Sequence, residues 1–193
     1  VAQPSHGTLS PSTPGGPSRT YTPTSGYVGP DSFTFKANDG KVDSNTATVN
    51  INVFDPSTCG GNLPIAGVTA SGNEVGNVPS NVLDNNLGTR WSSQGNGQFL
   101  TADLGSVKNI CSADIAFYAG NSRVYHFTIS TSTDGNTFTQ KFSGDSSGTT
   151  LNQEKFFIPA TDARYVRITF NGNTVNDWAH ITELDVFGTT GPP

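Results

Sequence analysis

The side chains able to do covalent chemistry are few. The 193 residues carry three histidines, His6, His126 and His180, with 15 acidic and 10 basic residues. A serine nucleophile needs a constrained turn, and no G-x-S-x-G stretch is present. No H-x-x-x-H pair offers two zinc ligands from one face. His6 sits in a turn and reads as a solvated residue. His126 is opposite in phase to Tyr125 and Phe127, so it reads as an exposed strand residue rather than a base. Glu183 and Asp185 share a strand face, but nothing in the sequence sets a second carboxylate across a cleft from them, as glycoside hydrolysis requires. The chain is expected not to be an enzyme.

A cation-binding loop is the more promising chemistry. Ser80 to Trp91, SNVLDNNLGTRW, gathers Asp84, Asn86 and Thr89 in one glycine-containing loop. Calcium takes six to eight oxygens, and a tight loop can present several together. The loop is not an EF-hand, because Gly95 stands where the bidentate Glu belongs. A single carboxylate binds weakly, so a distant acid is needed to complete the site. The alternative is an Asx-rich turn without metal.

The elements that must position these residues are strands. Leu100, Ala102 and Leu104 alternate, as do Ile115 with Phe117, Tyr125 with Phe127 and Ile129, and Phe138 with Phe142. Phe156 with Ile158, Val166 with Ile168 and Phe170, and Leu184 with Val186 complete a series of inward-facing sets separated by turn residues. No helical pattern exceeds a turn or two; Ser80 is placed to cap one turn over Asn81 to Leu83. Trp91 is expected in the core. The pattern specifies an all-β sandwich.

Composition narrows the partners. Charged residues are 13% and the formal net charge is −5, with no run of adjacent basic residues, so nucleic acid is a poor partner. The longest apolar run is about five residues, far short of a membrane span. The absence of an initiator Met and of a signal-peptide pattern reads as a processed or excised piece. In a chain without Met and rich in Thr, Asn and Gly, Cys59 and Cys111 read as the structural disulfide of an exported protein; two buried thiols are the alternative.

Two regions are expected, with a linker at 54–61 and a tail at 190–193. Residues 1–53 hold HGTL, YTPTSGYVGPDSFTFKANDG and SNTATVNINV, and resemble part of a bacterial cadherin-like or immunoglobulin-like β-sandwich repeat whose opening strands are missing. The region 62–189 carries VPSNVLDNNLGTRWSS, ISTSTDGNTF, ARYVRITF and ITELDVFG in that order. It resembles the discoidin, or coagulation-factor type C, domains grouped in carbohydrate-binding module family 32. That resemblance implies a jelly-roll-like β-sandwich with a structural calcium. Asp84 and Thr89 would serve as ligands, Glu183 as the distant acid, and carbonyls of Asn81, Asn86 and Thr182 would complete the shell. Asn85 replaces a frequent family Gly, which the αL tolerance of Asn permits.

The resemblance further implies a saccharide site on loops at one end of the sandwich. Phe117 to Tyr125 offers Tyr118, Asn121 and Arg123; Asn171 to His180 offers Asn176, Asp177, Trp178 and His180. An aromatic platform would hold a sugar ring, with Arg123 suited to a carboxylate. The expected function is a non-catalytic module that brings a secreted or cell-surface polysaccharide-active enzyme, its catalytic domain elsewhere in the parent, to an oligo- or polysaccharide. A uronate polymer such as alginate, or galactosides, would be the ligand. The alternative is an adhesion module binding protein or lipid; loop tips of Gly, Asn and Ser disfavour it.

Overall fold

The computed structural model describes residues 2–10, 19–55 and 59–189. The chain divides into two compact units, Val1–Asp55 and Pro56–Pro193. The expected tail, 190–193, and residues 56–58 of the expected linker lie outside the described residues.

The first unit has two antiparallel ribbons. Strands β1 (Gly7–Leu9) and β2 (Tyr21–Pro23) form one, and β3 (Gly29–Phe35) and β4 (Ala47–Val53) the other. Among the described residues before Leu63, Pro4 is the only buried apolar side chain. A polar hub organises the unit instead. Asp31, 7% exposed, accepts the backbone N–H of Ser5, His6 and Ser32 and the Tyr21 hydroxyl. Burial disfavours its charge, but those donors outweigh it and hold the carboxyl well below the usual range. His6 is exposed and stacks flat on Tyr27 at 4.0 Å.

The second unit is a β-sandwich made by bending one sheet. Its strands are β5 (Gly61–Leu63), β6 (Gly67–Ala70), β7 (Trp91–Gln94), β8 (Phe99–Ala116), β9 (Tyr125–Ser132), β10 (Thr139–Asp145), β11 (Glu154–Asn173), β12 (Trp178–Ile181) and β13 (Glu183–Thr189). Strands β8 and β11 are long enough to serve both layers. Residues 99–103 of β8 pair with β6 and with 165–169 of β11; residues 108–116 pair with β13 and with 154–163 of β11. Register slips between Phe157 and Thr161 and between Ala163 and Tyr165 bend β11 from one layer to the other. The order is β10-β9-β11-β8-β13-β5, with β6 on β8 and a separate β7–β12 ribbon.

The alternating residues fill the interior as expected: Leu100, Ala102, Leu104, Ile115, Phe117, Tyr125, Phe127, Ile129, Phe156, Ile158, Val166, Ile168, Phe170, Leu184, Val186 and Trp91 are all buried. Two expectations fail. Phe138 is not a core residue; it lies under the Arg167 guanidinium, 3.7 Å from ring centre to Cζ, on the outer side of the sheet. Ser80 is not a cap: the 3₁₀ turn runs Pro79–Leu83 with Val78 at its N-cap and no side-chain cap, because Pro79 fixes the start one residue earlier.

Cys59 and Cys111 form a disulfide across 52 positions. Residues 59–61 of the expected linker are therefore part of the sandwich. A loop of that length restricts the unfolded chain by about 4 kcal/mol in the chain-entropy model. Replacing both cysteines by serine should lower stability in urea by about 2–4 kcal/mol while leaving the β-type circular dichroism spectrum intact; an unchanged midpoint would show that the bridge constrains nothing.

Candidate functional site

The β7–β12 ribbon has two faces. Its register sets Trp178 opposite Gln94, Ala179 opposite Ser93, His180 opposite Ser92 and Ile181 opposite Trp91. Trp91, Ala179 and Ile181 go into the core, and the Trp91 indole N–H donates to the Gly72 carbonyl at 2.8 Å. The other face presents Arg90, Ser92, His180 and Trp178.

The Phe117–Tyr125 segment closes over that face. After β8 the chain makes a turn with Ala119 at φ 52°, held by Gly120 N–H to Phe117 O and Arg123 N–H to Ala119 O, each 3.0 Å. Gly120 is required, because a Cβ there would lie 2.6 Å from the Thr150 carbonyl. The turn leaves Tyr118 39% exposed. Two guanidinium groups converge on its ring, Arg90 at 4.2 Å and Arg123 at 5.4 Å from the centroid. Trp178, half-buried, lies parallel to His180 at 5.6 Å; Tyr118 and Tyr125 flank the imidazole at 5.4 and 6.2 Å.

The electrostatics of this cluster are cationic and dry at the base. Arg90 has one carboxylate nearby, Glu74, at 3.8 Å; Arg123 has none within 4 Å among the described residues. His180 is 5% exposed, and its Nδ1 lies 2.8 Å from the buried Ser92 Oγ, which also accepts Arg90 Nε–H at 2.9 Å. Burial, then the Arg90 and Arg123 charges, lowers the His180 pKa to about 4. Tyr125 donates its hydroxyl to the Tyr118 carbonyl at 2.7 Å, and burial raises its pKa to about 12, so it is no base.

Of the residues expected here, Tyr118, Arg123, Trp178 and His180 come together. His180 is on a strand and buried, not on a loop, because its pairing with Ser92 draws it under Tyr118. Asn121 is exposed on the same turn. Asn176 is mostly occupied with its own turn: its Oδ1 accepts from Asn173 Nδ2 at 2.8 Å and from Trp178 N–H at 3.2 Å. Asp177 is exposed, and its carbonyl accepts Gly95 N–H. Arg90 and Ser92 were not singled out from the sequence. The alternation Arg90-Trp91-Ser92 around a core tryptophan is the signal that marks them. Arg90, Arg123 and His180 come from separate elements and meet at this face. The loop tips also carry apolar residues, Val75 at 97% and Val175 at 62% exposure.

The second cluster lies in the Asp84–Thr89 loop, where Asn85 takes φ 56°. Thr89 Oγ1 donates to Asp84 Oδ2 at 2.7 Å, and Asn86 N–H reaches both Asp84 Oδ1 at 3.0 Å and Glu183 Oε1 at 2.6 Å. Burial and the adjacent Asp84 push the Glu183 pKa up to about 7. The Thr182 hydroxyl is buried without a partner. Asn81 braces the loop through its side-chain amide to the Gly76 and Arg90 carbonyls. Two crowded carboxylates, hydroxyls and carbonyls make an all-oxygen donor set, which fits calcium and not zinc. A cleft of about 370 Å³ beside it is lined by Leu63, Ile65, Leu83, Asn85, Glu183 and Asp185, away from the arginine cluster.

The F5/8 type C domain model matches residues 67–184. The chain belongs to this family. A bacterial Ig domain model matches residues 1–52. A solved structure described as the CBM32 of AlyQ in complex with 4,5-unsaturated mannuronic acid is 46% identical, with TM-score 0.64, over 65% of this chain and 97% of that one. A truncated AlyQ with CBM32 and alginate lyase domains is 44% identical, TM-score 0.65, over 68% of this chain and 34% of that one. A sialidase of Micromonospora viridifaciens is 28% identical over 157 residues, 75% of this chain. The chain spans about a quarter of that curated relative, 24% of its length. The F5/8 type C unit thus recurs as one module within larger carbohydrate-active enzymes.

The neutral His180 has a measurable consequence. Between about pH 6.5 and pH 4 the unfolded chain takes up a proton at this residue and the folded chain does not, so folding stability falls as pH drops through that window. The full effect is on the order of 3 kcal/mol below pH 4. His180→Gln should flatten the stability–pH curve of chemical denaturation over this interval; an unaltered slope would mean that the imidazole takes up its proton alike in the folded and the unfolded chain.

Proposed function

We propose that residues 61–189 are a non-catalytic carbohydrate-binding module whose Tyr118–Trp178 face takes uronate-bearing polysaccharide, serving a secreted or cell-surface polysaccharide-active enzyme. The observation that carries this reading is the pair of guanidinium groups on one exposed tyrosine beside a tryptophan. Aromatic faces pack against the apolar side of a sugar ring, and a guanidinium fork matches a carboxylate. A neutral galactoside would leave this excess of positive charge unmatched. The 46% identity to a module solved with 4,5-unsaturated mannuronic acid supports the same ligand class. The site is shallow, so single-site affinity is weak, and the benefit to an attached enzyme is local concentration on a polymer.

In affinity electrophoresis, alginate should retard the module more than a neutral galactan does. Trp178→Ala and Arg123→Ala should each weaken retardation about ten-fold or more with stability changed by only about 1 kcal/mol. Equal retardation by galactan would assign a neutral ligand, and unchanged retardation of both variants would move the site. Accumulation of unsaturated-uronate absorbance on alginate would show that the gathered Tyr, His and Arg residues perform catalysis. The exposed Val75 and Val175 tips favour one second reading, lipid or protein adhesion; liposome sedimentation without glycan retardation would select it.

A structural calcium is part of the proposal. Asp84 and Glu183 would supply carboxylates, Thr89 its hydroxyl and carbonyl, and Asn81, Asn86 and Thr182 their carbonyls. The ion would offset the charge crowding at Glu183 and tie the loop to β13. A chelator should lower the melting temperature of the wild type, and Asp84→Ala should lose both stability and the response to calcium. A wild-type melting temperature indifferent to chelator would mean that no ion is ordered there.

A further inference from the structure

We infer that Ser92 is a positioning residue for the ligand site, fixing His180 as an Nε2–H donor and aiming the Arg90 guanidinium through a single shared hydroxyl. The inference rests on the reading of this face as a saccharide site. Arg90 Nε–H can only donate, so Ser92 Oγ accepts that bond at 2.9 Å. Ser92 is 0% exposed, and the other partner of its hydroxyl among the described residues is His180 Nδ1 at 2.8 Å. A buried hydroxyl proton needs an acceptor, and Nδ1 is the one within reach. An imidazole that accepts this proton at Nδ1 carries its own on Nε2.

The Nε2 atom has no hydrogen-bond partner among the described residues and is not one of their fully buried unpaired atoms, although the residue as a whole is only 5% exposed. Its surroundings are Tyr118, Tyr125 and Trp178, with Arg90 and Arg123 as the nearby cations and Glu74 beyond Arg90. A donor here faces ligand oxygen; the bond at Arg90 Nε fixes the guanidinium, whose Nη2 lies 3.8 Å from Glu74, and Nη1 is left for a ligand carboxylate. The shared hydroxyl thus sets a ring donor and a guanidinium side by side on one face.

The test pairs a ligand-free spectroscopic measurement with binding. Long-range ¹⁵N–¹H NMR of the wild-type imidazole at pH 7 should show the Nε2–H tautomer for His180. Ser92→Ala should give a mixed or inverted tautomer and weaken binding of an oligomannuronate, read by calorimetry, roughly ten-fold, whereas Ser92→Thr, where it folds, should restore both. An Nδ1–H tautomer in the wild type overturns the inference, and this measurement needs no variant to fold. Unchanged oligomannuronate affinity in a folded Ser92→Ala protein also overturns it. A wild type that binds no glycan is a different result: it removes the saccharide reading, and the ligand role of Ser92 with it.

Discussion

The register of the β7–β12 ribbon is the constraint on which the binding face depends. Side chains alternate along a strand, so a slip of one residue would bring Trp91 out of the core and His180 into it. Trp91, fully buried and bonded to the Gly72 carbonyl, makes that exchange costly. The large apolar residue thus holds its polar neighbours in place: Arg90 and Ser92 are aimed because the residue between them has only one place to go.

The two clusters are coupled through the chain. Thr89, which donates to Asp84, directly precedes Arg90, and Asn81 reaches the Arg90 carbonyl. Order in the Asp84–Thr89 loop is therefore order at the first guanidinium. Glu183 follows β12 by two residues, so the same carboxyl that meets Asn86 also limits where His180 and Trp178 can sit. In a protein of net charge −5, the overall field would not attract the proposed polyanionic ligand. Attraction would have to be local, and Arg90 and Arg123 are the positive charges gathered at Tyr118.

The strands were largely legible because period-two burial shows directly in Tyr125, Phe127 and Ile129 or Val166, Ile168 and Phe170. The loop motif around Asp84 was legible because its oxygen-bearing residues are adjacent in sequence. The rest was hidden where it depends on long-range pairing. Nothing local to Ser92 indicates that it faces His180 across 88 positions. Phe138 has the spacing of a core residue, yet it stacks under Arg167 on the outer surface. Asn176 has the composition of a sugar-reading residue, but its Oδ1 is taken up by its own turn.

The bridge between Cys59 and Cys111 has a mechanical consequence. Tension applied through the chain that enters at the amino end of this unit would meet its edge first. The first strand there, β5, is only three residues long and is paired to β13 at its edge, a geometry that peels apart bond by bond under tension. The cross-link passes that load past β5 to β8 in the middle of the sheet, where many bonds resist together. Reduction would leave the resting fold in place and make it easier to unzip when tethered.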